Sequence, residues 1–265
     1  MFWFQQGLCF LPVFLVVWSS STFIVSYLIA LFRHDVDVIF PYISDTGANP
    51  PESCIFGLMT FVSACAGTLT IYARYKFVEK LGGDTEVVNP GLNKTALVLG
   101  MSSCLGMCIV ATFQETTVTE VHDAGALLFF VPGVCYIALQ SLLSYRARPF
   151  GSSPAVCRAR SGIAALAAVA LFPSILSTPP SLVRLKRSGR QSKVFFPSWM
   201  NSAVICAFFV TQTTLHRDVG DEDYPFHVAS AVCEWIVAFS FICFFLTYID
   251  DFKLFTLRVK ADLEQ

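Results

Sequence analysis

Carboxylate and imidazole side chains are concentrated in the polar segments between long apolar runs, and one carboxylate lies inside such a run. Groups of these two types can bind a cation or a lipid headgroup, and histidine can also respond to acid pH. The alternative is a solvated acidic rim in which some of these residues cap a helix, because helix N-termini favour carboxylates. The candidate residues are Asp45, Glu52, His122, Asp123, His227 and Glu234.

Glu234 is the candidate with the most restrictive surroundings. It lies between Cys233 and Trp235 inside an apolar run, where an unpaired carboxylate costs a few kcal/mol or more. His227 precedes it by seven residues, which is two helical turns and therefore the same helix face. Glu234 is thus either functional or neutral with a helix–helix hydrogen bond, and the sequence leaves both interpretations open.

The elements that position these residues follow from the composition. Mean hydropathy is +0.62 and only 14% of the 265 residues are charged, which is typical of a polytopic membrane protein. We therefore predict an all-α fold, a single integral membrane domain with six transmembrane helices. Five spans are predicted at about residues 8–32, 54–73, 95–113, 124–145 and 226–249, followed by an amphipathic cytosolic tail at 250–265.

The region of the fifth span is atypical. Residues 161–178 and 196–214 are both apolar, but a basic, proline-containing stretch separates them. Joining Ser174 to Val204 produces one uncharged segment of ordinary spanning length, so residues 175–203 have the pattern of a 29-residue insertion. We predict that 196–214 is the true fifth span and that 161–178 forms a re-entrant or partial helix.

The distribution of Lys and Arg predicts the orientation. The segments 74–94, 146–160 and the C-terminal tail hold 11 Lys and Arg residues, whereas 33–53, 114–123 and 215–225 hold 2. The positive-inside rule places the first group in the cytosol. Both termini are then expected to be cytosolic, and the polar, proline-punctuated segment at residues 41–53 is expected on the luminal or external side.

No motif of a known catalytic site occurs in the sequence, which contains no GxSxG, HExxH or Gly-rich phosphate loop. The ten cysteines show no CxxC or Cys/His spacing typical of zinc. We predict that the protein is not an enzyme and that it has no catalytic residue, metal site or cofactor. A net charge of −1 gives no overall attraction to nucleic acid, and we do not expect nucleic acid as a partner. For a membrane protein, lipids are the expected partners.

Several longer motifs together resemble the damage-regulated autophagy modulator (DRAM) family of Frag1-type six-span membrane proteins. The resemblance covers about residues 1–174 and 204–260, and residues 175–203 depart from the family pattern. The motifs that carry it are PYISDTGANPPES, TIYARYK, LVLGMSSCLGMCIVATFQE, VHDAGALL and HVASAVCEWIVAFSFICFFLTYIDDF.

The resemblance implies a protein of the lysosomal or late-endosomal membrane that promotes autophagy, with a link to apoptosis and with autophagy or lysosomal membrane proteins as partners. It implies no catalytic site, since the family has no agreed enzymatic activity. Related Frag1-type proteins act in lipid remodelling. The alternative function is therefore lipid handling or lipid remodelling, which would use a luminal acidic and histidine rim that includes His227 and Glu234.

Overall fold

A computed structural model describes residues 7–39, 41–85, 88–148, 151–176, 215, 224–253 and 255. None of these residues forms a strand, and the regular structure is helical. The helices are α1 (Phe10–Arg33), α2 (Glu52–Thr85), α3 (Pro90–Thr112), α4 (Thr119–Arg146), α5 (Pro154–Leu176), α6 (Tyr224–Leu246) and the short α7 (Tyr248–Phe252).

Six of these helices are long and apolar enough to cross a membrane, which confirms the predicted all-α polytopic class. Consecutive helices contact one another from α1 to α6, and α6 returns to contact α1. The six helices therefore form a closed ring. Apolar side chains from every part of this ring remain exposed on its outer face, as expected for a surface that meets lipid.

Two helix boundaries are set by local backbone chemistry. His34 ends α1 in the left-handed region (φ 60°), where its N–H donates to the carbonyls of the last turn. Asn89 begins α3, and its side chain accepts a hydrogen bond from Gly91 N with Pro90 at the first helical position.

The close approach of α3 to α4 depends on two glycines. A Cβ atom on Gly106 would lie less than 3.0 Å from the backbone of α4, and a Cβ on Gly125 would lie less than 3.0 Å from Ile109. Small residues at such crossings allow helix backbones to pack closely in membranes. Ser103 strengthens the contact because its Oγ donates to Phe129 O at 2.7 Å.

The fifth-span region differs in extent from the sequence interpretation. The helix begins at Pro154, earlier than residue 161, and its 23 residues are about 34 Å long. Eighteen of them, Pro154–Leu171, satisfy the length and composition of a span. Residues 196–214 and most of the predicted insertion lie outside the described residues, so which apolar piece is the fifth span stays a prediction.

The bundle has two chemically different ends. The end that holds residues 41–53, with the C-termini of α1 and α3, is called the loop end. The opposite end holds Arg74, Arg160 and Asp251, and it is called the basic end. All the residues selected from the sequence lie toward the loop end.

Candidate functional site: a cavity beneath the 41–53 loop

The 41–53 loop is folded by its own side chains. Asp45–Gly47 forms a single 3-10 turn. Asp45 Oδ2 accepts from Tyr42 N at 3.2 Å, and Thr46 Oγ1 donates to Ile43 O at 2.7 Å. Aspartate and threonine close turns in this way by bonding to nearby backbone groups. The loop is therefore a compact structure.

Helices α1 and α6 hold this loop inside the ring. Ile43 N donates to Glu234 Oε2 at 3.1 Å, and Trp235 Nε1 donates to Pro41 O at 2.9 Å. The hydroxyls of Ser26 and Thr46 are hydrogen-bonded at 3.0 Å, and either can be the donor. Two adjacent side chains of α6 thus satisfy two backbone groups of the loop.

Two further contacts extend the anchoring around the ring. The Tyr42 ring meets the His227 ring edge-on, with 4.8 Å between their centroids. Thr116 Oγ1, in the connection between α3 and α4, donates to Ala48 O at 3.1 Å. The loop consequently contacts the start of α6 and the connection between α3 and α4.

Beneath the loop lies a cavity of ≈ 290 Å³ that runs between the helices. Side chains from α1, α2, α3, α4 and α6 line it. Its acidic and histidine side chains are concentrated near the loop. Its deeper walls are mainly apolar, and the hydroxyls of Ser103 and Tyr136 there are hydrogen-bonded to other protein groups. The acidic and histidine lining residues, here called the rim, are Asp45, Glu115, His122, Asp123, His227 and Glu234.

The structure thus brings five of the six sequence-selected residues to one cavity. Asp45 and His122 are 5% and 4% exposed, so these two members of the rim are buried rather than solvated. His122 also does not cap α4, which begins at Thr119. It bonds through Nδ1 to Phe113 O, at the end of α3, at 2.7 Å.

Glu52 is the selected residue that does not line the cavity. It lies at the start of α2, fully buried, with Oε2 at 3.5 Å from Arg33 Nε. Arg33 also contacts Asp35 at 3.1 Å. Glu52 therefore belongs to a small charged group at the outer edge of the loop end, separate from the rim.

Glu115 belongs to the rim although the sequence did not single it out. It lies close enough to Asp123 and to Glu234 for the carboxylates to repel one another. Glu115 lies in the polar connection at residues 113–118, and nothing in the sequence distinguishes it from other acidic residues in loops. Only the fold shows that this connection turns inward over the cavity.

A second polar site, at the basic end, was missed entirely by sequence reasoning. Asp251 Oδ2 lies 2.7 Å from Arg74 Nη1 and 2.6 Å from Arg160 Nη2. The two arginines are 2% and 0% exposed. One carboxylate therefore joins α2, α5 and α7 through two buried guanidinium groups.

Gln140, Thr247 and Tyr248 add further side-chain contacts to this ion cluster. Arg74 Nε donates to Gln140 Oε1 at 3.1 Å, and Arg160 Nε donates to Thr247 Oγ1 at 2.8 Å. The Tyr248 ring lies 4.8 Å and 5.0 Å from the two guanidinium carbons, within the range of cation–π contact. Buried charges that are paired and hydrogen-bonded in this way serve to fix helices together.

Leu8, just before α1, meets the chain after α6 beside the ion cluster. Leu8 N donates hydrogen bonds to both Phe252 O and Phe255 O, at 3.1 Å and 3.0 Å. Phe77 packs against both of these phenylalanine rings. Most of the predicted tail at 250–265 lies outside the described residues, and its amphipathic character stays a prediction.

The residue next to the ion cluster has a different environment. Asp250 is exposed and accepts from Lys253 Nζ at 2.7 Å, which raises the pKa of that ammonium group. Asp250 and Asp251 are adjacent in sequence but only Asp251 is part of the ion cluster. Over the described ranges, no group of three or more His, Cys, Asp or Glu side chains is placed to hold a metal ion.

A closed ring of six apolar helices, with a polar loop seated in one end and an ion cluster buried in the other, defines a multi-pass helical membrane protein. Residues 7–255 match the family model described as the Frag1/DRAM/Sfk1/Cwh43P N-terminal domain. This chain belongs to the Frag1/DRAM family. The match includes the 41–53 loop, the rim and the ion cluster.

Individual relatives are similar over almost their whole length. The chain is 42% identical to DNA damage-regulated autophagy modulator protein 1 of Homo sapiens, covering 98% of this chain and 97% of the relative. It is 40% identical to the protein of the same name from Xenopus laevis, over 99% and 98%. It is also 40% identical to DNA damage-regulated autophagy modulator protein 2 of Rattus norvegicus, over 99% and 90%. No solved structure matches.

Proposed function

We propose that this chain is a lysosomal membrane protein that promotes or modulates autophagy, linked to autophagy-dependent apoptosis, and that it acts without catalysing a reaction. The observation that carries the proposal is the similarity to proteins named as autophagy modulators, which extends over nearly the full length of both chains. The organisation of the site supports it, because the rim lies under a seated loop rather than in an open cleft.

A non-enzymatic membrane protein acts through what it contacts. The expected partners are membrane lipids on the exposed apolar faces and autophagy or lysosomal membrane proteins at the two ends. The direct test is autophagic flux in cells that lack the protein, with the wild-type chain or a variant restored.

Two variants make that test specific. Glu234→Leu removes the acceptor for Ile43 N, and Asp250→Ala changes only an exposed residue. Restored flux is expected with the wild-type chain and with Asp250→Ala, and reduced flux with Glu234→Leu. Equal flux with and without the protein would contradict the proposed function.

The proposed orientation has cytosolic termini and a luminal 41–53 loop. It is supported by the excess of Lys and Arg at the basic end. Because the loop itself is buried, an epitope tag is better inserted after Val38, which is 70% exposed. After selective permeabilisation of the plasma membrane this tag should be protected in lysosomes, while a C-terminal tag should bind antibody. The reverse accessibility would exclude the orientation.

A second candidate function, lipid handling through the rim, is favoured by the cavity itself. An apolar cavity with a polar rim suits an amphiphile better than a water-soluble molecule. Lysosomal lipid profiles of cells with the wild-type chain and with His227→Gln or Glu234→Gln test it. Unchanged profiles alongside normal flux would exclude this alternative and leave the autophagy role.

A further inference from the structure

We propose that the cavity binds a single-chain amphiphile with a cationic headgroup, a lipid amine, whose ammonium group lies at the rim and whose chain extends toward Tyr136. This assignment of a ligand class does not depend on the autophagy role. It follows from the shape of the cavity, from the charge of its rim and from polar atoms that have no partner there.

The cavity is long and narrow. Its lining residues on α2 run from Phe56 to Ile71, and those on α4 begin at Thr119 and include His122 and Ile137. Phe56 and Ile71 are separated by 15 residues, as are His122 and Ile137, which corresponds to about 22 Å along a helix. When a volume of ≈ 290 Å³ is spread over that depth, the average cross-section is about that of a single hydrocarbon chain. Pockets for drug-sized ligands hold about 300–1,000 Å³, so the volume of this cavity lies just below that range.

The walls change character along this depth. Far from the loop they are formed by aliphatic and aromatic side chains, among them Ile71, Ile137, Phe241 and Phe245. A hydrocarbon chain gains about 0.8 kcal/mol for each CH₂ group transferred from water to such surroundings. This gradient favours a ligand with one polar end.

The acidic residues of the rim favour a ligand whose polar end is positively charged. Four carboxylates line it, and no Lys or Arg does so among the residues that the structure describes. The nearest cationic candidates are the two histidines, His122 and His227. The carboxyl group of Glu115 lies close enough to those of Asp123 and Glu234 for each of these two pairs to repel when both members are ionised. An ammonium group placed among them would relieve this repulsion and donate hydrogen bonds to charged acceptors.

Two atoms at this level lack the partner that a ligand would supply. Glu115 Oε2 is buried and accepts no hydrogen bond. Thr60, only 7% exposed, lies on the cavity wall one helical turn further in than Phe56, and its Oγ1 also has no partner. Thr68 and Thr70, further along the same helix, bond to the carbonyl four residues before them. The Thr60 hydroxyl is left available at the depth of the headgroup.

The test uses the purified full chain in lipid nanodiscs and hexadecylamine that carries a photoreactive group at the end of its chain. Unlabelled hexadecylamine, hexadecanol and palmitic acid serve as competitors of equal chain length. We expect crosslinks to α2 and α4 near Ile71 and Ile137, and competition by the amine at least about tenfold stronger than by the alcohol or the acid. Equal competition by all three, or crosslinks confined to the outer faces of the helices, would overturn the proposal.

Variants test the rim independently of the chain. The double variant Glu115→Gln/Asp123→Asn should lose the preference for the amine, about tenfold, while its affinity for hexadecanol stays unchanged. Glu79→Gln is the matched control, since Glu79 is an exposed carboxylate that pairs with Lys76 near the basic end. A retained amine preference in the double variant would overturn the proposal.

Thr60→Val provides a variant that is nearly isosteric. It removes a hydroxyl that has no partner in the protein, so the thermal midpoint should not fall. Binding of hexadecylamine should nevertheless weaken severalfold because the headgroup loses one hydrogen bond. Unchanged affinity of this variant would show that the hydroxyl has no part in the site and would contradict the placement of the headgroup.

Discussion

The backbone N–H of Ile43 donates to Oε2 of Glu234 at 3.1 Å and so joins residues 191 positions apart. One partner lies in the 41–53 loop and the other in the middle of the most apolar helix run. A carboxylate is costly in a span, and an unpaired backbone amide is costly when buried. The hydrogen bond between them lowers the free-energy cost of burying both groups, and it holds the loop over the cavity.

Replacing Glu234 with Leu should destabilise the protein by about 1–3 kcal/mol, because Ile43 N then loses its acceptor in a buried position. Glu234→Gln retains a carbonyl oxygen at the same place and should stay close to wild type. The measurement is thermal unfolding of the detergent-solubilised proteins, followed by tryptophan fluorescence. Equal unfolding midpoints for the Leu and Gln variants would show that the hydrogen bond does not hold the loop.

Gly47→Ala should unseat the loop. A Cβ at this position would lie less than 3.0 Å from several atoms of the Phe56 ring, and Phe56 is buried. We expect reduced expression and a lower unfolding midpoint. Gly162→Ala is the control, because nothing lies within 4 Å of its Cβ position, and alanine is better than glycine in a helix by about 1 kcal/mol. A tolerated Gly47→Ala alongside a tolerated Gly162→Ala would contradict the packing described for the loop.

Asp251→Ala should be among the most destabilising substitutions in the chain. It leaves Arg74 and Arg160 buried without their shared carboxylate, and breaking a buried ion pair in this way costs about 3–5 kcal/mol. Asp250→Ala, one position away, removes only an exposed pair with Lys253 and should be nearly neutral. Unfolding midpoints and yields of the two variants in the same detergent decide the matter. Similar values for both would mean that the ion cluster is not structural.

Deleting residues 175–203 should give a protein at least as stable as the full chain, with its C-terminus still cytosolic. The joined sequence restores an uncharged apolar segment, and the junction at Ser174 lies two residues before the end of α5 at Leu176. Expression level, unfolding midpoint and antibody access to a C-terminal tag are the measurements. Loss of expression on deletion, or a luminal C-terminus in the full chain, would show that these residues belong to the fold.

Local pattern was sufficient to locate most of the helices and five of the six rim residues, all except Glu115. The apolar runs are long, and turn-forming residues delimit the 41–53 loop, so both could be located without a structure. A carboxylate inside a span, such as Glu234, needs a polar partner. Glu234 can therefore be selected as a candidate from the sequence alone. The identity of that partner, a backbone amide in the loop, has no sequence signature.

The ion cluster could not be predicted because its members have ordinary roles when they are considered singly. Arg74 and Arg160 were counted among the basic residues that end or precede a span, and Asp251 was assigned to the tail. They are separated by up to 177 positions, and only the closed ring brings them together. Glu52 is the opposite case, a residue that the sequence grouped with the rim although the structure does not. Its position at the start of α2 places its side chain beside Arg33 instead.

The position of Asp251 near the end of the chain has a consequence for biosynthesis. Arg74 and Arg160 enter the membrane long before the residue that neutralises them has been translated. Every intermediate of synthesis therefore carries two arginines whose carboxylate is still missing, and so does any product truncated before Asp251. The ion pairs that join α2 and α5 to α7 can therefore form only after the residues that follow α6 have been made.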